Sequence, residues 1–489
     1  MTTQTDLPDT FEDTLARTRA AAPAFAATTR AERAVVLTAM AAELDARGAD
    51  LIALASEETH YSAEILTAEL QRTTDQLRFF GEVLLDGAYL ERATDSDRGP
   101  VDIHRLLVPL GVVAVFGSSN FPFAYGVAGG DSASALAAGC AVVVKEHPSH
   151  PATCRAVLAA LKTALHSSGL DTDTVTMVSG FEAGIALVTA PDIRAVGFTG
   201  STSGGRALYD LATNRASPIP FYGELGSLNP VVVTVAAAID RATEIGTLVA
   251  DSVLQRAGQM CTKPGVVLVP EGAAGDTIVA SMGARIGAHA PTRLLNTAVR
   301  GQFVEGTKAL GTAAGVTIAG GSVTTGGSES DPVAPVLFEA VSAEFTGAGE
   351  LTEIFGPTSL VLRYRDAADA RALLGALEPA LVGAIHAAPG EDADARALLD
   401  ALLGGVGRVV WNAATTGLAV GWATHHGGSY PSSTSAHSSV GASAIRRWLR
   451  PVSYQGVPEE LLPDELAVGG ATGAGHRVDG VLAAAGTLR

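Results

Sequence analysis

Three observations predict an α/β protein with parallel sheets and more than one domain. Short β-branched runs that are apolar on both faces, as buried parallel strands are, recur along the chain. Segments of helical composition separate these runs, and strand–helix–strand alternation is typical of parallel α/β units. The chain has 489 residues, so we expect two or three domains of ordinary size. The clearest strand candidates are Val112–Phe116, Val142–Val144, Val196–Phe198, Val231–Val233 and Val266–Val269.

The first hundred residues have the pattern of helices instead. Thr29 and Glu32 have the spacing of a capping box, and the run that follows carries an apolar stripe formed by Val36, Met40 and Leu44. From about residue 105, predicted strands alternate with helices, two of which cover 131–138 and 205–213. The Gly-rich and Ser-rich stretches 320–327 and 427–441 are predicted to be exposed or irregular. We expect the chain to divide into 1–226, 227–440 and a C-terminal segment, 441–489, that packs back on the first part.

Composition excludes several classes of partner. Asp and Glu outnumber Lys and Arg by 51 to 33, a net charge of −18 that disfavours nucleic acid and anionic membranes. Three cysteines without a CxxC pair fit a reducing compartment and argue against a disulfide framework. The N-terminus lacks the pattern of a signal peptide, and the apolar runs are too short to span a membrane. We therefore expect a cytoplasmic protein.

Cys261 is the main candidate for chemistry. It lies in Gly258-Gln259-Met260-Cys261-Thr262, 37 residues after the acid Glu224. A thiolate attacks carbonyl carbon, and a nearby carboxylate activates a thiol or a water molecule. A single cysteine is more often a small buried apolar residue, so Cys261 alone does not decide between these interpretations.

Polar residues at the ends of predicted strands are further candidates. Asn120 follows Val112–Phe116 and has an amide that suits an oxyanion, although turn asparagines are common. Lys145 ends another predicted strand. Its side chain could bind a phosphate or a ribose hydroxyl, or it could simply extend into solvent. Gly200 and Ser201 lie between a strand and a helix, where a pyrophosphate binds well, but the GxGxxG pattern is absent.

The order and spacing of six such segments resemble the NAD(P)-dependent aldehyde dehydrogenase superfamily over about residues 10–465. The resemblance implies a Rossmann-like cofactor domain, a second α/β catalytic domain and a small oligomerisation element. It also implies a homodimer or homotetramer that acts on a small aldehyde. The segments are Asn120-Phe121-Pro122, Lys145, Gly197–Ser201, Glu224-Leu225-Gly226, Gly258–Cys261 and Glu353–Pro357.

The same resemblance implies a role for each catalytic candidate. Cys261 attacks the aldehyde carbon, and Asn120 with the Cys261 backbone N–H stabilises the oxyanion. Glu224 then activates the water that hydrolyses a thioester. We expect no metal: His425 and His426 are adjacent, so their side chains would diverge on a regular element, and His437 has no better claim.

The cofactor residues implied by the resemblance lie on several segments. Lys145 and Glu353 would bind ribose hydroxyls, although Glu353 could also be a solvated turn residue. Gly200 and Ser201 would face the pyrophosphate, and Phe355 would border the nicotinamide.

Several details resemble the branch of α-ketoglutaric semialdehyde (2,5-dioxopentanoate) dehydrogenases. They include Ser227 where most members carry glycine, the segment 426–431 and the segment 447–455. An NADP-linked fatty aldehyde dehydrogenase is the alternative. A CoA-acylating enzyme would lack the base at Glu224, and a non-catalytic member would have lost Cys261, Asn120 or Glu224.

Departures from the family pattern bear on ligand choice. Ser119 replaces a usual tryptophan, which alters one packing contact. Pro148 stands where NAD-preferring members often carry glutamate, so we expect NADP to be preferred over NAD, although Glu146 lies close by. Phe121 and Arg256 are the candidate substrate contacts. A surface arginine on the helix before the nucleophile is the competing interpretation of Arg256.

Overall fold

The structure, a computed structural model, describes residues 10–328, 330–342, 347, 351–390, 392–466 and 475–483. Parts of the predicted C-terminal segment, 467–474 and 484–489, lie outside the described residues. The helices are α1 Phe11–Ala26, α2 Arg30–Ala46, α3 Gly48–Thr59, α4 Ala63–Asp86, α5 Gly130–Ala138, α6 Pro151–Ser167, α7 Phe181–Thr189, α8 Thr202–Thr213, α9 Val235–Leu254, α10 Ala273–Gly287, α11 Thr297–Gly311, α12 Ala367–Ala376 and α13 Asp392–Leu403.

Strands are numbered along the chain and belong to three sheets. They are β1 Ala93–Asp95, β2 Ile103–Pro109, β3 Val112–Phe116, β4 Val142–Lys145, β5 Val175–Val178, β6 Ile193–Thr199, β7 Phe221–Glu224, β8 Val231–Val233, β9 Val266–Pro270, β10 Val316–Gly321, β11 Val336–Val341, β12 Thr358–Tyr364, β13 Ala380–His386, β14 Val406–Trp411, β15 Leu449–Gln455, β16 His476–Val478 and β17 Val481–Ala483.

The first sheet is parallel, with strand order β5-β4-β3-β6-β7. Both faces are covered, because β-branched residues on both sides of each strand need apolar partners. Helices α2, α4 and α6 contribute to the core on one face, and α1 and α7 to the core on the other. The predicted stripe Val36, Met40 and Leu44 is buried in the first of these cores, and the capping box of Thr29 and Glu32 is present.

The second sheet has the order β10-β11-β12-β9-β8-β13-β14 and is parallel except for β10, which is antiparallel to β11. Helices α9 and α10 pack on one face, and α12 and α13 pack on the other. The predicted loop or hairpin at 320–327 begins inside β10 and continues as irregular chain. All five sequence-predicted strands are present and buried.

The third sheet joins distant parts of the chain, in the order β15-β2-β1-β16-β17. Residues 449–455 pair antiparallel with 103–109, which ties the C-terminal segment to the strand before the first α/β unit. Between β14 and β15, the chain returns to the end of β7, where Leu225 N–H donates to Ser432 O and Glu224 bridges to Ser433. This return positions side chains from residues 426–439 beside the carboxyl edge of the first sheet. The domain limits at 226 and 440 stay a prediction.

No helix among the described residues is long and apolar enough to cross a lipid bilayer.

Candidate active site

The nucleophile loop follows α9 and is held in an unusual backbone conformation. Arg256 and Ala257 have φ values of 50° and 55°, and a Cβ on Gly258 would lie 2.2 Å from Gly356 O. Glycine at 258 is therefore required by the close approach of two loops. Asn229 Nδ2 donates to Cys261 O at 2.8 Å, which anchors the nucleophile itself.

Ser227, one of the branch-specific residues, supports this anchor. Its hydroxyl donates to Asn229 Oδ1 at 2.6 Å and accepts from the Leu381 N–H at 2.9 Å. A glycine at 227 could make neither side-chain contact. The serine therefore fixes the orientation of the buried Asn229 amide, which in turn holds the nucleophile loop.

Three side chains with catalytic chemistry meet at the carboxyl end of β7. His426 Nε2 lies 3.0 Å from Glu224 Oε1 and 3.6 Å from Cys261 Sγ. Ser439 Oγ donates to the other carboxylate oxygen, Oε2, at 2.6 Å. Glu224 and His426 are 4% and 1% exposed, so the fold holds both in place. Cys261, Glu224 and His426 form what we call the catalytic cluster.

Burial and mutual charge set the protonation of the catalytic cluster. Burial and the negative charge of Glu224 raise the pKa of the Cys261 thiol well above its ordinary value, and the charge of Arg72 opposes this shift only in part. Burial also acts to raise the pKa of Glu224, but the charge and hydrogen bond of His426 and the Ser439 hydroxyl outweigh it. The pKa of Glu224 is therefore lowered. The arrangement supplies a carboxylate base beside a thiol that needs one.

Asn120 lies on the loop after β3 and faces the nucleophile loop. Its buried Nδ2 donates to Gln259 O at 2.9 Å, two residues before Cys261. An amide nitrogen carries two hydrogens, so one donor remains for a substrate oxygen. The structure therefore brings Asn120 to the same loop as Cys261.

Arg256 is half-buried and its side chain points into the protein, so the surface interpretation of this residue is wrong. Its Nη1 forms an ion pair with Glu69 Oε2 at 2.7 Å and donates to Asn120 O at 3.1 Å. Its guanidinium stacks on Phe121, 4.1 Å from the ring centroid, and side-chain exposure is only 9%. It also lies in a short 3₁₀ segment after α9. Glu69 therefore already neutralises the positive charge of Arg256 that a substrate carboxylate would need.

Glu69 connects α4 to both loops of the site. Its Oε1 accepts from the backbone N–H groups of Phe123 at 2.9 Å and Ala124 at 3.1 Å, and its Oε2 holds Arg256. A carboxylate with these partners is fully compensated despite being 2% exposed. Glu69 thus fixes the Asn120 loop relative to the nucleophile loop.

The predicted cofactor residues lie on the first sheet and on the loop before β12. Strand register aligns Lys145 with Phe116 and Phe116 with Phe198, so the ends of β4, β3 and β6 are level. Gly200 and Ser201 follow β6, and Gly200 N–H donates to Glu224 O at 3.1 Å. Ser201 caps α8 by accepting from Gly204 N–H. The lysine, the helix terminus and the catalytic cluster therefore share one edge of the sheet.

The residues fit a bound NAD(P) molecule. Glu353 Oε1 is buried and has no hydrogen-bond partner among the described residues, which suits a ribose hydroxyl donor. A Cβ on Gly226 would lie 2.8 Å from Glu353 Oε2, so the glycine leaves room for this acid. Burial raises the pKa of Glu353 to about 7, against the opposing charge of Lys263. Phe355 is half-buried and packs against the core of the first α/β unit.

The segment after Lys145 bears on whether Glu146 would repel the 2′-phosphate of NADP. Glu146 is buried and forms an ion pair with Arg155 Nε at 2.8 Å, whereas Pro148 is exposed. A carboxylate engaged with arginine repels a 2′-phosphate much less than a free one. Burial lowers the pKa of Lys145. The exposed part of this segment thus offers no free acid to an adenosine ribose.

Sequence reasoning missed His426, Ser439 and Glu69 as site residues. His426 is buried and His425 half-buried, and both lie on an irregular segment rather than on a regular element. The segment 426–431 departs from the usual family pattern, and that departure was the available signal for His426. Glu69 gave no such signal, because an acid on a predicted helix usually faces solvent.

Comparison with known proteins identifies the family. The aldehyde dehydrogenase family model matches residues 2–452. An α-ketoglutaric semialdehyde dehydrogenase of Acinetobacter baylyi is 38% identical over 93% of this chain and 88% of its own. Alpha-ketoglutaric semialdehyde dehydrogenase 2 of Azospirillum brasilense is also 38% identical, over 92% of this chain and 87% of its own.

Solved structures share the fold at lower identity. The glyceraldehyde-3-phosphate dehydrogenase GapN of Methanocaldococcus jannaschii, complexed with NADP, superposes with a TM-score of 0.77 at 16% identity. The match covers 91% of this chain and 93% of that one. The sequence-predicted aldehyde dehydrogenase fold is confirmed, and the protein is an oxidoreductase that converts an aldehyde to an acid with NAD(P). The chain belongs to the aldehyde dehydrogenase family.

Proposed function

We propose that the enzyme oxidises α-ketoglutaric semialdehyde to 2-oxoglutarate, with NADP preferred over NAD. The observation that carries the substrate is a cation beside the nucleophile that forms no salt bridge among the described residues. Arg72 on α4 stacks over Tyr125, 5.5 Å from the ring centroid, and its charge acts on Cys261. Arg72 also hydrogen-bonds Tyr125, and its charge is attracted to Glu69, whose carboxylate is paired with Arg256. Arg72, rather than Arg256, is therefore the candidate partner for the substrate carboxylate.

A second arginine strengthens the positive field at the same site. Arg408 on β14 donates from Nη1 to Gly417 O at 3.0 Å and from Nη2 to Thr415 O at 2.8 Å, and it forms no salt bridge with an acid among the residues that the structure describes. Its charge also acts on Cys261 and Tyr125. An anionic aldehyde gains from two such cations, whereas a fatty aldehyde gains nothing from them. The two relatives that are 38% identical carry the same substrate name, which supports this choice.

In the first half-reaction, Cys261 Sγ attacks the aldehyde carbon and its proton passes to the Glu224 carboxylate. Asn120 Nδ2 and the Cys261 backbone N–H stabilise the oxyanion of the thiohemiacetal. A bound NAD(P)+ would supply the hydride acceptor for this step, and Cys261 would then hold the acyl group as a thioester. Lys145, Gly200, Ser201 and Glu353 would hold the cofactor, with Phe355 at the nicotinamide.

Before the second half-reaction, Glu224 releases to solvent the proton that it took from Cys261. Glu224 then takes a proton from water as the water oxygen attacks the thioester carbon. Cys261 leaves as a thiolate and regains its proton from Glu224, and the carboxylic acid is released. The net change is aldehyde, NAD(P)+ and water to carboxylate, NAD(P)H and protons. His426 holds Glu224 ionised for this step through its charge and hydrogen bond.

The test compares kcat/KM for α-ketoglutaric semialdehyde, succinic semialdehyde, pentanal and a long-chain aldehyde, each with NADP and NAD. We expect Arg72→Gln to lower kcat/KM for the semialdehyde about 10-fold to 100-fold, the value of a hydrogen bond to a charged group. Pentanal, which has the same chain length but no carboxylate, should change little. The control is Arg78→Gln on the same helix, whose exposed side chain pairs with Asp45.

Three results would contradict the proposal. Equal losses for pentanal and the semialdehyde would remove Arg72 from carboxylate binding. Fastest turnover of the long-chain aldehyde would favour a fatty aldehyde dehydrogenase. A higher kcat/KM with NAD than with NADP would refute the cofactor preference. Cys261→Ala serves as the inactive reference, with NADP binding retained.

A further inference from the structure

The catalytic cluster also has the composition of a metal site. It offers one sulfur, one imidazole nitrogen and one carboxylate oxygen, all within 4.8 Å of one another. Tetrahedral zinc, with bonds of about 2.0–2.3 Å, places neighbouring ligand atoms about 3.3–3.7 Å apart. The Sγ–Nε2 separation of 3.6 Å lies in that range, and the Nε2–Oε1 separation is 3.0 Å. Side-chain adjustments of about 1 Å would therefore complete a zinc site.

We propose that Cys261, Glu224 and His426 bind one Zn²⁺ ion that reversibly inhibits the enzyme. Thiolate, imidazole and carboxylate are all zinc ligands, and a three-residue site leaves the fourth position to water. The metal would bind the thiolate that attacks the aldehyde and the carboxylate that activates water, so that neither group could react. Inhibition thus follows from the same three side chains that perform the reaction.

The fold prearranges two of the three ligands. Ser439 Oγ fixes Glu224 through Oε2, which leaves Oε1 for the metal, and Ser438 Oγ accepts from the His426 backbone N–H. Both ligands are almost fully buried, so little conformational entropy is lost when the ion binds. Among the described residues, no other set of three or more His, Cys, Asp or Glu side chains converges in this way.

This inference goes beyond the proposed substrate, because it involves neither aldehyde nor cofactor.

The chain contains a matched control. Cys154 Sγ lies 3.3 Å from His150 Nδ1, so a second buried cysteine–histidine contact exists away from the cluster. His150 Nε2 is engaged with Ser118 O at 3.0 Å, and the nearby Glu58 accepts from the N-terminus of α6. That contact lacks a third ligand, so His150→Gln should leave zinc binding unchanged.

The experiment titrates the enzyme, free of cofactor and aldehyde, with Zn²⁺ against a chromogenic chelator. We expect one equivalent bound by the wild-type enzyme and by His150→Gln, and affinity at least about 10-fold weaker in His426→Gln. Co²⁺ provides a second readout, since a thiolate-to-cobalt charge-transfer band should appear in the wild type and vanish in Cys261→Ser. The second variant keeps the test decisive if His426→Gln fails to fold.

In the assay, Zn²⁺ should inhibit aldehyde oxidation, and a chelator should restore the full rate. The proposal is overturned if the wild-type enzyme binds no zinc, or if His426→Gln and the wild type bind it equally. Loss of binding in His150→Gln would place the ion elsewhere and would also overturn it. Because the titration contains no aldehyde, an error in the proposed substrate would not affect its result.

Discussion

At the scale of single residues, the chemistry depends on how His426 acts on its two neighbours. It lies 165 residues after Cys261 and 202 after Glu224, so only the fold brings the three together. Glutamate at a buried position would ordinarily favour its neutral form. The charge of His426 reverses that tendency and keeps Glu224 ionised.

His426→Gln tests this effect through pH. Glutamine retains a hydrogen-bond donor but loses the charge, so burial should then raise the pKa of Glu224. Because Glu224 must be ionised to activate water, the acidic limb of the kcat–pH profile should move to higher pH. The measurement is kcat from pH 4.5 to about 9 in the variant and in His437→Gln, an exposed histidine of the same segment. An acidic limb at the wild-type position in His426→Gln would show that His426 does not hold Glu224 ionised.

The same lowered pKa has a consequence for stability. A carboxyl group whose pKa is lower in the folded than in the unfolded state stabilises the fold above its unfolded pKa, and this contribution is lost as pH falls through the folded pKa. Glu224 therefore adds stability near neutral pH that disappears in acid. Cys261, with a raised pKa, favours its neutral thiol in the folded protein.

Site residues were predictable from sequence where they follow a buried strand. Asn120, Lys145 and Gly200 lie at or just after strands whose apolar character is visible on both faces. Glu224 ends β7, which was not among the predicted strands, and was identified instead as the acid 37 residues before Cys261. His426 was not predictable as a partner of Cys261, because it lies on an irregular segment whose path no periodicity defines. Its position depends on backbone pairing between the return segment and β7.

At the scale of elements, Glu69 joins α4, the loop after β3 and the nucleophile loop. The first hundred residues were predicted to be helical, but no periodicity reveals that one acid of α4 points inward to accept from two backbone N–H groups. The ion pair between Arg256 and Glu69 stabilises the left-handed backbone at Arg256 and Ala257, because it ties the side chain of this strained turn to α4.

We expect Arg256→Met to destabilise the protein by about 3–5 kcal/mol, since it leaves a buried carboxylate without its cation. Adding Glu69→Gln should recover part of that loss, because the uncompensated charge is then absent. Thermal unfolding midpoints of both single variants, the double variant and Arg78→Met provide the test. The exposed ion pairs of Arg78 should contribute no more than about 1 kcal/mol.

A positioning role requires a second readout beyond stability. If Glu69 and Arg256 orient Asn120, kcat in Arg256→Met should fall while the dissociation constant for NADP stays near the wild-type value. A double variant no more stable than Arg256→Met, or a kcat unchanged in that variant, would contradict the assignment.

At the scale of the whole molecule, parallel sheets covered on both faces explain why the architecture was visible in the sequence. In each of the two parallel-type sheets, helices bury both faces of strands made of Val, Ile, Leu and Ala. The third sheet was not predicted in detail, because its strands come from segments more than 300 residues apart. The cytoplasmic location and the lack of nucleic acid or membrane partners stay predictions.

The exposed edge of the seven-stranded sheet leads to a prediction about the oligomeric state. Strand β14 ends the seven-stranded sheet and its residues are only half-buried, apart from Trp411, which is 50% exposed. Unpaired strand edges and exposed aromatic side chains favour association with another chain, so we expect a homodimer or homotetramer of the 49.6 kDa chain. Trp411→Asp should shift the mass measured by light scattering toward the monomer, because an aspartate at this edge would have to be buried when a second chain covers it. Phe181→Asp, at a side chain 78% exposed on α7, is the matched control and should leave the mass unchanged. A monomeric wild type, or a Trp411→Asp variant that assembles as the wild type does, would exclude this edge as the contact.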